Sequence, residues 1–239
     1  SYYNLGLPHL NSSEKKAIDS LKATAKHRIN TPIQTETYKN DILTSKQRNV
    51  FKVWTWGNIV ELQKVQSSKS ENNLEDRFIY HKYDDKGNPL EVSKERGLHS
   101  VFIWGYNQTK LIAKIENFTY DELMRYNYNS GKAILSSIYS TSNNDNDRTV
   151  DTRDSLGNVI AYNGKEGKLR EALQDLRSAR ALSNTQVTTY TYDPLIGVTS
   201  MTDPKGYTIY YEYDEFNRLK QVKDADGNIL SNNQYNYKN

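Results

Sequence analysis

The chain has 239 residues, enough for one or two domains with cores of useful size. Its 32 basic and 29 acidic residues leave a net charge of +3 and are interspersed, so no nucleic-acid partner is indicated. Cysteine is absent, which excludes disulfides, thiolate metal sites and thiol catalysis. No apolar run approaches the roughly 20 residues needed to span a bilayer.

Mean hydropathy is low, at -0.87, yet the chain holds 19 tyrosines. Tyrosine favours strands, because its broad ring packs on a half-buried pleated face while its hydroxyl stays wet. Sheet is therefore expected to outweigh helix.

In chain order, Asn11-Ser12-Ser13-Glu14 offers a helix start, with Ile18, Leu21 and Ala25 on one face. The stretch after it, through Pro32 and Thr37, lacks either period and reads as an extended connector. Residues 1–45 form a first segment. From Val50 apolar and polar residues alternate, with Phe51, Val53 and Thr55 on one side and Lys52, Trp54 and Trp56 on the other. Gly57-Asn58 suits a hairpin turn, and Ile59 to Val65 reads as the returning strand. Further strands are expected at Arg77 to Tyr83, Leu90 to Lys94, Ser100 to Tyr106 and Leu111 to Glu116, making 46–118 a β-meander.

Residues 119–186 read as a helical insertion region. A helix turn is expected at Thr119-Tyr120-Asp121-Glu122, and an amphipathic helix where Leu169, Ala172, Leu173, Leu176 and Ala179 recur at three and four residues. Ser140 to Arg148, rich in asparagine, serine and aspartate, reads as a mobile loop.

From Val187 onward the sequence is quasi-periodic. Tyr190-Thr191-Tyr192-Asp193 is answered by Tyr211-Glu212-Tyr213-Asp214, and Asp203-Pro204-Lys205-Gly206 by Asp224-Ala225-Asp226-Gly227, both 21 residues on (190 to 211, 203 to 224). Tyr235-Asn236-Tyr237 opens a third copy. Tyr83-Asp84-Asp85-Lys86-Gly87-Asn88 and Asp154-Ser155-Leu156-Gly157-Asn158 are outlying copies of the turn. A period of this size means stacked supersecondary units. Each unit reads as a tyrosine-rich strand, a turn at the aspartate, a second strand and a glycine turn, giving 187–239 as the repeat segment. Tyr192, Asp193, Asp203, Gly206, Tyr213, Asp214, Asp224 and Gly227 are its structural motif residues.

These residues resemble the YD-repeat family, which includes RHS proteins, shell-forming components of insecticidal toxin complexes, and teneurins. The segments 197–206 and 211–219 look like the two halves of its repeat, and 102–106 with 112–116 is similar to a block ahead of the terminal repeats in large secreted members. The resemblance implies a mainly β fold of stacked antiparallel hairpins forming a coiled sheet, with two or three short helical insertions. It also implies a secreted or cell-surface setting, with upstream repeats of the same large protein or another exported protein as partners. The chain looks like the end of such a protein. Toxin-releasing shells end their core with Asp-Pro-x-Gly-Leu, whereas this chain has Asp203-Pro204-Lys205-Gly206-Tyr207 inside an ordinary repeat.

No catalytic motif or cofactor loop is found, so a non-enzymatic role without cofactors is expected. His9, His27, His81 and His99 lack metal-ligand spacing, and packing or surface roles are the default for them. The stretch 224–228 is similar to half of a calcium loop, but Tyr235 stands where the twelfth-position glutamate belongs. Trp54, Trp56 and Trp104 form a candidate carbohydrate-binding surface, weighed against a simple core and rim role. The leading expectation is a structural or interaction module, with the wall of a toxin-delivery shell as the alternative.

Overall fold

The computed structural model describes residues 10–23, 28, 30–54, 59–129 and 133–235. The chain divides into two compact units, Ser1–Ser100 and Val101–Asn239.

In the first unit, helix α1 (Ser12–Lys22) starts at a capping box, in which Asn11 and Glu14 each accept the other's backbone N–H. Strands β1 (Gln34–Lys39), β2 (Ile42–Trp54), β3 (Ile59–Lys69), β4 (Glu75–Tyr83) and β5 (Pro89–Lys94) follow, paired antiparallel in chain order. The segment expected as a connector thus contains β1 and the start of β2. Its alternation is hidden because β1 is exposed along nearly its whole length and has no apolar face to betray it. The spacing of Ala17, Ile18 and Leu21 has a clear use. All three are buried with Ile33, Phe51 and Val60, so α1 covers one face of β2 and β3. Burying a side chain such as Leu21 contributes about 1.5–3 kcal/mol. Ala25 and the Gly57-Asn58 turn lie outside the described residues.

In the second unit, β6 (His99–Gly105, its first two residues belonging to the first unit) pairs with β7 (Lys110–Glu116). Helices α2 (Tyr120–Asn129) and α3 (Ile134–Asn144), the small hairpin β8 (Thr152–Arg153) and β9 (Val159–Ala161), and helix α4 (Gly164–Arg177) come next. The chain then returns to the sheet with β10 (Gln186–Asp193) beside β7, followed by β11 (Gly197–Thr202), β12 (Thr208–Tyr213), β13 (Leu219–Asp224) and β14 (Ile229–Asn232). The fold is mainly antiparallel β, built of hairpins in chain order.

The residues between β7 and β10 form the second core. Leu123, Ile134, Leu135, Ile138, Leu169, Leu173 and Leu176 pack on Val101, Ile103, Ile112, Ile115 and Val187. The mobile loop expected at Ser140 to Arg148 is corrected here, since Ser140 to Asn144 are the last turn and a half of α3. Ser142 is fully buried, and its hydroxyl and that of Thr141 bond back to carbonyls one turn earlier, which lets polar residues complete a helix. Helix α4 matches the expected apolar spacing, except that Ala179 lies beyond its end.

Candidate functional site

The repeat motif residues are the site from which any role must be built. Five aspartates, Asp84, Asp154, Asp203, Asp214 and Asp224, fold the chain in the same way. Each accepts at Oδ1 the backbone N–H of the residues two and four positions on, at 2.8–3.0 Å. The backbone N–H three positions on donates to the aspartate carbonyl. That third residue must have positive φ, and it is glycine in four turns; Gly206 sits at +92°. In the fifth turn Asn217 takes the position at +61°. Asp193 departs from the pattern. Its Oδ1 accepts only from Leu195, and its Oδ2 takes two guanidinium bonds from Arg148, at 2.7 and 2.9 Å.

The motif tyrosines have a second common geometry. Tyr83 donates its hydroxyl to the Leu62 carbonyl, Tyr192 to Leu111, Tyr213 to Val198 and Tyr235 to Leu219, at 2.8–2.9 Å. Three of these carbonyls sit at β-bulges. Register passes from Val50↔Lys64 to Phe51↔Leu62, from Thr191↔Ser200 to Tyr192↔Val198, and from Glu212↔Gln221 to Tyr213↔Leu219. Gln63, Thr199 and Lys220 are the extra residues. A bulge interrupts the ladder locally and strengthens the twist. A tyrosine hydroxyl that satisfies the carbonyl beside it therefore fixes where the bulge falls. Burial pushes the Tyr192 hydroxyl up to about 12 and holds that of Tyr83 higher still, so both remain protonated donors.

Beneath the strands β10 to β12 lies a buried polar network. Arg170 of α4 grips both Asp151 oxygens, at 2.8 and 2.9 Å, and its Nη1 lies 3.0 Å from Glu166 Oε1. The second contact is an ion pair without hydrogen-bond geometry. Glu166 also accepts from Thr191 and from Thr199, the bulged residue of β11. The insertion helix is thus tied to the repeat at its irregular point. A cleft of about 370 Å³ opens beside this network, lined by Asp151, Arg170, Arg177 and Gly206 among others.

Of the sequence-predicted aromatic residues, Trp54 belongs to the first unit and Trp104 to the second. Trp54 is buried, its indole N–H donates to the Glu61 carbonyl at 3.3 Å, and its ring packs against Tyr83 at 5.1 Å with the Lys52 ammonium 4.7 Å away. Trp104 is half-buried on β6, and Trp56 lies outside the described residues. The sequence interval of 18 residues between His81 and His99 hides a proximity that the strands create. The two imidazoles stack at 4.6 Å; His81 Nε2 lies 2.9 Å from Ser93 Oγ and His99 Nδ1 lies 2.5 Å from Glu91 Oε1.

Residues 197–229 match the family model of the RHS repeat. This stretch holds β11, β12, β13 and the turns at Asp203, Asp214 and Asp224. The chain carries an RHS repeat.

A search of curated proteins finds no match. Among solved structures, the crystal structure of TcdB2-TccC3 without its hypervariable C-terminal region aligns with 82% of this chain at 9% identity, TM-score 0.36. TcdB2-TccC3-TEV aligns with 86% at 11% identity, TM-score 0.36. A Tc holotoxin pore of Photorhabdus luminescens with a mutated TccC3 aligns with 82% at 15% identity, TM-score 0.31. The chain spans only 9–10% of the length of these structures.

Within the RHS repeat, the sequence motif identifies the tyrosine and aspartate positions but misses Gly197. A Cβ there would lie 2.6 Å from the Tyr213 hydroxyl, so glycine is required by the close approach of that tyrosine. The missed signal is the glycine one residue before Val198, whose carbonyl accepts the Tyr213 hydroxyl.

Proposed function

We propose that this chain is a non-enzymatic structural and interaction module: a length of RHS-type sheet that acts as scaffold for a larger exported or cell-surface protein. The observation that carries this reading is the reuse of one device. Tyrosine-fixed bulges and aspartate turns recur in both units and specify hairpins added one after another, which is how a repeat array grows by nearest-neighbour stacking. The outer edge of β14 supports it further. Every residue of β14 is exposed, and Ile229 and Leu230 are each 58% exposed. A strand edge carrying large apolar residues is a template for a further strand. The partner is another repeat of the same protein or a strand of another exported protein. The more specific form of the proposal is that the sheet is part of the wall of a toxin-delivery shell.

Sedimentation of the isolated chain, with and without Ile229→Lys and Leu230→Lys, tests the scaffold reading. Self-association that the two lysines abolish is the expected result. A stable monomer that unfolds cooperatively at every concentration contradicts it.

A further inference from the structure

The cluster at His81, Glu91 and His99 has no part in the repeat geometry. The three residues come from three successive strands, β4, β5 and the first residue of β6. One ligand atom from each lies within 4.8 Å of the others. We propose that they bind a single divalent transition-metal ion, Zn²⁺ in the first instance, that ties these strands together.

Three structural features carry the assignment. The donor set is two imidazole nitrogens and one carboxylate oxygen, which suits a borderline ion such as Zn²⁺ and disfavours Ca²⁺ or Mg²⁺, whose preferred ligands are oxygens. The placement is built into the strands. Pairing of β4 with β5 passes from Tyr80↔Val92 to Lys82↔Glu91, leaving His81 as the bulged residue. Ile79 pairs with Ser93, so two-residue alternation along β4 puts His81 on the face that carries Ser93 and Glu91, as its 2.9 Å contact with Ser93 records.

The required adjustment is small. Ligand atoms about 2.0–2.2 Å from a tetrahedral zinc lie roughly 3.5 Å apart, so the widest separation closes by about 1 Å through side-chain torsions. Glu91 is buried, with 7% of its side chain exposed, while the His99 side chain is 35% exposed, so a water can reach the fourth position from the histidine side. Ser93, at 2.9 Å from His81 Nε2, is placed to hold that ring as an outer hydrogen-bond partner once the ion binds.

Zinc equilibrium dialysis of the whole chain at neutral pH tests the proposal. One equivalent should bind, His81→Asn and His99→Asn should each weaken binding at least about 100-fold, and the double variant His9→Asn/His27→Asn should bind as the unaltered chain does. Histidine ring NMR resonances of the unaltered chain give a second readout that does not depend on any variant folding. Zinc should move two of the four histidines. The proposal is overturned if the unaltered chain binds no zinc, if His81→Asn and His99→Asn leave binding unchanged, or if the His9/His27 variant loses it.

Discussion

The Tyr213 hydroxyl donates to the carbonyl of Val198 at 2.9 Å, directly beside Thr199, the residue that the β10–β11 ladder leaves unpaired. A side chain on one strand thereby fixes an irregularity in its neighbour. Gly197 makes room for it, since any Cβ there would stand 2.6 Å from the same hydroxyl.

Removing that hydroxyl with Tyr213→Phe should cost about 1–3 kcal/mol, the range between a net hydrogen bond and a buried carbonyl left without a partner. Gly197→Ala should cost a similar amount, about 1–3 kcal/mol, by overpacking. The two effects share one contact, so urea unfolding of the double variant should show a loss smaller than the sum of the single losses.

The aspartate turn separates acceptor chemistry from charge. Asp203→Ala removes the acceptor for the Lys205 and Tyr207 N–H groups and should cost about 1 kcal/mol, whereas Asp203→Asn keeps an oxygen and should cost less. Gly206→Ala, at φ +92°, should destabilise by about 1 kcal/mol or more through backbone strain. Thermal melts of the three variants check the ranking.

The network beneath the repeat gives the largest expected effect. Arg170→Met leaves the carboxylates of Asp151 and Glu166 buried, their side chains 2% and 1% exposed, without their cation. Breaking a buried pair in this way costs about 3–5 kcal/mol. Arg170→Lys should rescue only in part, because an ammonium cannot grip both Asp151 oxygens in a planar fork. Denaturant midpoints of the two variants measure the difference.

Stability should also carry an opposing pair of pH trends. Burial raises the Asp145 pKa to about 6, assisted by Glu166 and opposed by the hydrogen bond from Tyr106. A carboxyl raised above its unfolded value gives stability that is complete below about pH 4 and lost as pH rises through about 6. The turn carboxyls of Asp154, Asp214 and Asp224 are lowered, chiefly by side-chain hydrogen bonds from Asn158, Arg218 and Asn228. Their contribution is present above the ordinary carboxylate range and fades as pH falls below it. Asp145→Asn should therefore remove the decline between about pH 4 and 6 while leaving the acid limb in place. Unfolding measured across that range in both proteins checks it; parallel curves would refute the assignment.

What the sequence discloses depends on distance along the chain. The aspartate turns are legible because every bond in them closes within four residues, and Asp84 and Asp154 are recognisable far from the main repeats for the same reason. Helix α4 is legible from Leu169, Leu173 and Leu176 because helical spacing is local. The tyrosine contacts are not, since Tyr192 reaches Leu111 across 81 residues and a hydroxyl leaves no periodic trace. Glu166 and Arg170 stand four apart on an unremarkable helix face; their burial depends on Asp151 and Thr191, which only the fold brings near. The histidine cluster is hidden in the same way, because only strand pairing brings His81 beside Ser93 and Glu91.

If these strands are a length of repeat sheet within a larger assembly, other strands must pair with the edge of β14. Electron cryomicroscopy of the longest polypeptide encoded with this chain tests it most directly. The expected result is strands of other repeats hydrogen-bonded to β14, continuing the same tyrosine-fixed bulges around an enclosed cavity. A compact, solid particle in which the edge of β14 faces solvent would contradict it.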